Sequence, residues 1–209
     1  WYNPSMELFV FPLGHVVFYP SIAKPLHIFE PRYIQMIQDS QSTGTPIAIG
    51  YVDEPDRDYK LESGSPLSFV RPIVGYGSPI ILEQRMDGSL GVFLQGAGKA
   101  RLGKVLERKV PYIVCEAENI QENHNIEMSQ AVHFMTINKV LVSWVNTHIK
   151  DQVQREHFLK NIRSAEEVIG CFASYIVADH DMQQLILESN DINEKIDLVS
   201  GLIRSGELA

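Results

Sequence analysis

Short apolar segments separated by turn residues fill the first 120 residues of the chain, and they constrain the fold most strongly. Five runs have the length and the β-branched or aromatic composition of strands, and they lie at residues 8–11, 47–52, 78–82, 90–94 and 112–115. Asp87-Gly88 separates the third run from the fourth and predicts a hairpin turn, because glycine tolerates a positive φ. Many short strands joined by turns predict a barrel or a sandwich rather than a parallel α/β sheet.

One helix is expected inside this strand region. Pro31 suits the first turn of a helix, where a missing backbone N–H costs nothing, and Gly44 lies beyond the expected end. Apolar side chains recur between the two at helical spacing, at Tyr33, Ile34, Met36 and Ile37.

The chain after residue 122 has helical rather than strand periodicity. Its apolar residues predict a long helix over residues 126–149. Ser164 and Glu167 have the spacing of a capping box, in which each side chain bonds to a free backbone N–H of the other residue. A last helix is expected to begin near Asp191 and to end at Gly206.

The net charge of the chain limits the kinds of molecule that it is expected to bind. The chain has 18 Lys and Arg against 26 Asp and Glu, which gives a formal net charge of −8. This argues against nonspecific nucleic-acid binding and against docking on an anionic membrane surface. A basic run between Lys99 and Lys109 is interpreted as protection of an edge strand. Two cysteines in apolar surroundings, and no signal-peptide pattern at the N-terminus, predict buried reduced thiols and a cytoplasmic location.

Motifs that carry chemistry are missing from the sequence. The segment from Gly96 to Ala100 fails the Walker pattern and is interpreted as a glycine-rich bend between two strands. The cluster Asp179-His180-Asp181 is interpreted as a helix junction with Asp181 as N-cap, and residues 53–58 as a solvated acidic turn. We therefore expect no catalytic residue, no metal site and no cofactor, and a binding module is favoured over an enzyme.

One segment is distinctive enough to indicate a family. Phe11-Pro12-Leu13, Val16 to Pro20 and the stretch from Lys24 to Tyr33 (KPLHIFEPRY) are similar to the opening of the Lon substrate-binding domain, the N-terminal domain of ATP-dependent Lon proteases. The similarity continues through Val74-Gly75, the Asp87-Gly88 turn, a strand leading to Arg101, and Pro111-Tyr112.

The resemblance implies an α+β fold. A PUA-like, mostly antiparallel β-barrel with one inserted helix would occupy residues 6–120, and a helical bundle packed against it would occupy residues 121–209. ATPase and peptidase activity belong to later domains of the protease, so the resemblance implies no catalysis. A helical tail that stops after Gly206 favours a stand-alone family member.

The function implied by the resemblance is recognition of unfolded polypeptide or of a protein partner, in protein quality control or as an adaptor. We expect a monomer or a weak homodimer with no membrane association. The alternative is an RNA-binding module, because PUA-like barrels often bind RNA, although the net charge weighs against it.

Two sets of residues are predicted from the resembling segment. Tyr19, Pro20, Ile22 and Pro25 are expected to be exposed and to border a peptide-binding patch. Leu26, Ile28 and Phe29 are expected to lock the strand and helix into the core, and Glu30 is expected to form an inward-facing ion pair with Arg101. The structural motif is completed by Arg32 and Tyr33. Addition of a peptide strand to an open sheet edge is a second possible mode of binding.

Overall fold

The computed structural model describes residues 5–54 and 61–208. Four residues of the predicted acidic turn, residues 55–58, lie outside the described residues. The chain divides by its internal contacts into two units, with the boundary between Ile120 and Gln121. The first unit contains the strands and one helix, and the second is helical, so the class is α+β.

The first unit contains six strands and one helix among its described residues. Their bounds are β1 Ser5–Gly14, β2 Ala23–Ile28, α1 Pro31–Thr43, β3 Ile47–Val52, β4 Ile73–Gln84, β5 Leu90–Val105 and β6 Ile113–Asn119. Each of the five predicted strand runs overlaps one of these strands, and the run at residues 47–52 coincides with β3. The turn at Asp87-Gly88 is also confirmed, since Gly88 has φ 85° between β4 and β5.

Five of the six described strands pair in a closed cycle, in the order β5-β4-β3-β1-β6 and back to β5. β2 lies outside the cycle and pairs with β5. β1 and β3 are parallel, whereas the other described pairs are antiparallel. Phe9 and Phe11 of β1 pack in one hydrophobic cluster and Leu8 and Val10 in another, so β1 is buried on both of its faces.

Helix α1 follows its sequence signals. Pro31 occupies the first turn, and the helix ends at Gly44, whose φ of 75° is left-handed. Tyr33, Met36 and Ile37 are buried and belong to the same cluster as Phe9. The predicted helix is therefore confirmed.

Glycines in β4 and β5 let other backbone segments approach the sheet closely. A Cβ on Gly75 would lie 1.9 Å from the carbonyl oxygen of Phe18, and a Cβ on Gly96 would lie 2.4 Å from that of Tyr19. The interpretation of Gly96 to Ala100 as a bend between two strands is wrong, because β5 continues through this segment as one strand of 16 residues. The register of β4 and β5 shifts beside Gly77, which is typical of a bulge.

The helical unit begins with a 3-10 turn, Met128–Gln130. The helices that follow are α2 Ala131–His148, α3 Gln152–Asn161, α4 Ala165–Tyr175, α5 His180–Glu188 and α6 Ile192–Ser205. The capping box of Ser164 and Glu167 is confirmed, and α6 ends at Gly206 as predicted. The prediction that Asp181 is an N-cap is wrong: Asp179 caps α5, because the helix begins at His180.

A buried lysine lies in the helical unit. The Nζ atom of Lys195, on α6, lies 2.6 Å from Glu122 Oε1 and 2.5 Å from Glu166 Oε1. The Lys195 side chain is almost fully buried, and a buried charge is tolerated when it is paired in this way. The ion pairs therefore tie the first residues of the unit to α4 and α6.

We predict that Gly75→Ala lowers the free energy of unfolding by at least about 2 kcal/mol, because the new methyl group collides with the Phe18 backbone. Gly201→Ala is the matched control. It places the same methyl group in open space within α6 and should stabilise the protein by up to about 1 kcal/mol. Urea unfolding measures both changes. An unchanged midpoint for Gly75→Ala would contradict the close approach of the two backbones.

Candidate functional site

The segment expected to present Tyr19 and Ile22 to solvent is folded against the sheet. Ser21 N–H donates to the Gly96 carbonyl, at 3.2 Å, and Gly96 N–H donates to the Ile22 carbonyl, at 2.9 Å. Tyr19 is consequently only 1% exposed, and Ile22 is also buried. The expectation that these two side chains are exposed is therefore wrong, because glycine at position 96 lets the loop backbone lie directly on β5.

The two prolines of the predicted set have different surroundings. Pro20 is half-buried beside Tyr19, whereas Pro25 is exposed in β2. Of the four residues expected to border a binding patch, Pro25 is thus the one on an exposed strand surface.

The predicted structural motif, which spans the second half of β2 and the start of α1, is partly in the core. Ile28 is buried and Leu26 packs against the same cluster, as expected. Phe29 is 68% exposed, so its predicted core position is wrong. The cause is strand alternation: Ile28 points into the core at the end of β2, and Phe29 is turned away from it. Tyr33 is buried against the Phe11 ring, with ring centroids 4.2 Å apart, and the Arg32 guanidinium lies over the Tyr33 ring.

The predicted inward-facing ion pair between Glu30 and Arg101 is also wrong. Glu30 pairs at the surface with Arg32, at 2.7 Å, and Arg101 is exposed. Ile28 at the end of β2 pairs with Leu90, whereas Arg101 lies 11 residues further along β5, roughly 36 Å away in an extended strand. The two residues are therefore near opposite ends of β5.

A row of apolar side chains crosses the outer face of three strands. Pro25 of β2 lies opposite Phe93 of β5, and Phe93 lies opposite Ile80 of β4. Side chains that are directly opposite in an antiparallel pair have Cβ atoms about 4.5–5.5 Å apart, so the three are neighbours. Val92 and Leu94 point into the core, which places Phe93 between them on the opposite face.

The row extends at both of its outer strands. Phe29 follows β2, and its ring centroid is 6.0 Å from that of His27. Leu82 is exposed at the register shift between Ile81 and Glu83 of β4. We name this surface the outer apolar strip, which consists of Pro25, Phe29, Ile80, Leu82 and Phe93. Isolated exposed apolar residues are ordinary, but a contiguous patch is typical of a binding surface.

Polar residues border the strip at the β4–β5 turn. Arg85 pairs with Glu83 at 2.7 Å, and Arg85 Nη1 is 3.4 Å from His27 Nε2. The Ser89 hydroxyl donates to Asp87 at 2.7 Å and is free to accept from His27 Nε2, at 3.1 Å. The hydrogen bonds from the Ser89 hydroxyl and N–H hold the pKa of Asp87 below its usual value. This network fixes the turn beside Phe29.

The edge of β2 is poorly suited to adding a peptide strand. Gly96 N–H donates to the Ile22 carbonyl directly before the first β2–β5 pair, Ala23 and Gln95, and residues that bond to the partner strand alternate along an antiparallel ladder. The backbone nitrogen of Pro25 therefore points away from β5, toward the outer edge. Because proline has no N–H, it interrupts the row of edge donors that an added strand would need. The candidate surface at β2 is therefore one of side chains rather than of backbone donors.

Neither cysteine is suited to nucleophilic chemistry. Cys115 and Cys171 are free and buried, which confirms the prediction of reduced buried thiols. Burial raises the pKa of each thiol to about 12, and the nearby Glu167 carboxylate adds to the rise at Cys171. Within residues 5–54 and 61–208, no three His, Cys, Asp or Glu side chains are grouped to hold a metal ion.

A comparison with protein families decides where the chain belongs. The profile of the ATP-dependent protease La (LON) substrate-binding domain matches residues 7–205. The chain belongs to this family. The Lon-family assignment supports a substrate-binding role and is consistent with an association with proteolysis.

Solved structures support the same fold. This Lon-family chain is similar to a Lon N-terminal domain protein from Xanthomonas campestris, with 17% identity, a TM-score of 0.63 and coverage of 94% of this chain and 96% of that one. It is also similar to the N-terminal domain of the Mycobacterium avium complex Lon protease, with 11% identity, a TM-score of 0.68 and coverage of 92% and 95%. A search of curated proteins gives no match. None of the helices in the described parts of the chain is long and apolar enough to cross a membrane.

We predict that Ile28 and Phe29 differ sharply in their contribution to stability. Ile28→Ala should lower the free energy of unfolding by about 2–4 kcal/mol, because it leaves a cavity in the core. Phe29→Ala should change it by less than about 0.5 kcal/mol, since the ring is already in solvent. Urea unfolding of the two neighbouring variants makes the comparison. Equal losses of stability would mean that Phe29 is part of the core.

Proposed function

We propose that this Lon-family domain binds unfolded polypeptide at the outer apolar strip and catalyses no reaction. The observation that carries the proposal is the continuous row of Pro25, Phe93 and Ile80 across three paired strands. Its biological role is then to hold unfolded chains for protein quality control in the cytoplasm, as a substrate-recognition or adaptor domain. The closed cycle of strand pairings supports the view that the first unit is a PUA-like barrel.

The chemistry of the strip fits unfolded chains better than a folded ligand. Unfolded polypeptides expose aromatic and aliphatic side chains, and burying such a side chain fully contributes about 1.5–3 kcal/mol. Apolar contacts have no directional requirement, so the strip can accept many sequences. A few partly buried side chains, less the cost of ordering the bound chain, give affinities on the order of micromolar.

The rigidity of the strip supports binding. Pro25, Phe93 and Ile80 are spaced by the backbone ladders of β2, β5 and β4 rather than by a loop. The surface therefore loses little conformational entropy when a chain is held against it. At one end, Arg85 and His27 provide polar groups that limit the apolar contact. Pro25 keeps the bound chain from adding to β2 as a further strand.

A binding experiment with surface variants tests this proposal. The probe is a fluorescein-labelled, reduced and carboxymethylated polypeptide that cannot fold, and its anisotropy is measured during titration with the protein. Ile80→Ser and Phe93→Ser should each raise Kd by about fivefold or more, because each removes an apolar contact. Their thermal stability should stay close to that of the parent protein, since both side chains are on the outer face.

Leu185→Ser is the matched control for this experiment. Leu185 is 42% exposed on α5 and Ile80 is 50% exposed on β4, so both changes remove a comparable exposed aliphatic side chain. The control should bind with an unchanged Kd. Binding that is unaffected by Ile80→Ser and Phe93→Ser would overturn the assignment to the strip. Preferential binding of a labelled single-stranded RNA over the polypeptide would favour the RNA-binding alternative instead.

A further inference from the structure

Helix α2 has a buried side and an exposed apolar side. Ile137, Leu141 and Val145 are buried at intervals of four residues. Val132 and Met135 are exposed on the opposite side, with Val132 70% exposed, and Met128 is exposed in the 3-10 turn that leads into α2. We name this surface the α2 stripe: Met128, Val132 and Met135. Val132 and Met135 are three residues apart and therefore share one face of α2, and Met128 lies about one turn before Val132.

The charge around the α2 stripe differs from that of the rest of the chain. Residues 128–149 contain no Asp or Glu, although the whole chain contains 26. Their single Lys or Arg is Lys139, four residues after Met135, and Glu127 directly precedes Met128. Both charged side chains are exposed. The stripe therefore has a negative charge at its N-terminal end and a positive charge at its C-terminal end.

We propose that the α2 stripe is the contact surface for a second copy of this chain, in an antiparallel and two-fold symmetric arrangement. Antiparallel packing places Val132 of one copy opposite Met135 of the other, and it brings each Lys139 near Glu127 of the other copy. A parallel arrangement would instead place like charges together. Helix α2 has no acidic side chain of its own, although Asp197 of α6 accepts a hydrogen bond from Gln130 at the start of the helix. Because each copy has a net charge of −8, two copies meet less repulsion along α2 than along an acidic helix.

The size of the surface sets the strength of the dimer. Three apolar side chains bury much less than the roughly 800 Å² per partner of a standard stable interface. The association is therefore weak and reversible, with a Kd on the order of 10–100 μM. Self-association of this kind pairs two substrate-binding surfaces at high local concentration without a permanent assembly.

Sedimentation velocity of the full chain over a wide concentration range tests the proposal. The weight-average mass of the parent protein should rise from that of a monomer toward that of a dimer. Val132→Glu should raise the dimer Kd by at least about tenfold, because it places a carboxylate in the centre of the contact. Val153→Glu is the matched control: Val153 is 75% exposed on α3, and the identical change there should leave the Kd unaltered.

Charge reversal distinguishes the antiparallel arrangement from other contacts through the stripe. Lys139→Glu and Glu127→Lys should each weaken the dimer by about two- to fivefold, and the double variant should recover the original Kd. A protein that remains monomeric at every concentration overturns the proposal, even if the stripe captures a different protein. Dimerisation that Val132→Glu leaves intact overturns it as well, because another surface then makes the contact.

Discussion

The hydrogen-bonded pairing of strand β5 with its neighbours sets the arrangement of the first unit. Residues 90–95 of β5 pair with β2 on one side and with β4 on the other. The pairing with β4 continues to Arg101, and the pairing with β6 begins at Ala100. One strand of 16 residues therefore pairs with three of the other five described strands. Gly75 in β4 and Gly96 in β5 leave room for the backbone of residues 18–22. That contact buries Tyr19 and Ile22 and fixes where β2 begins.

The same pairing creates the proposed binding surface. Alternation along β5 directs Val92 and Leu94 into the core, so Phe93 is held on the outer face between Pro25 and Ile80. The apolar side chains of the strip are exposed because alternation directs their neighbours along each strand, rather than them, into the core. A surface arranged in this way is rigid and continuous and can accept bound chains of many sequences, as recognition of unfolded chains requires. The fold and the proposed function thus depend on one set of hydrogen-bonded ladders.

Local signals in the sequence predict much of the fold and little of the site. The strand at residues 47–52, the helix that begins at Pro31 and the capping box at Ser164 depend on neighbouring residues, and all three are confirmed. The burial of Tyr19 depends on Gly96, 77 positions away, and no local pattern reports such a contact. The exposure of Phe29 could have been predicted from the sequence. Successive residues of a strand face opposite sides, so if Ile28 is buried, Phe29 is expected to lie outside the core. The partners of Phe93 require the register of three strands, which composition does not specify.

The central claim is that unfolded polypeptide contacts the outer apolar strip, and methyl NMR tests it most directly. Isoleucine methyl groups are labelled in the full chain, and spectra are recorded during addition of the reduced, carboxymethylated polypeptide. We expect the Ile80 methyl resonance to shift or broaden, while that of Ile196, which is buried in α6, stays in place. Saturable polypeptide binding with an unperturbed Ile80 resonance would contradict the account.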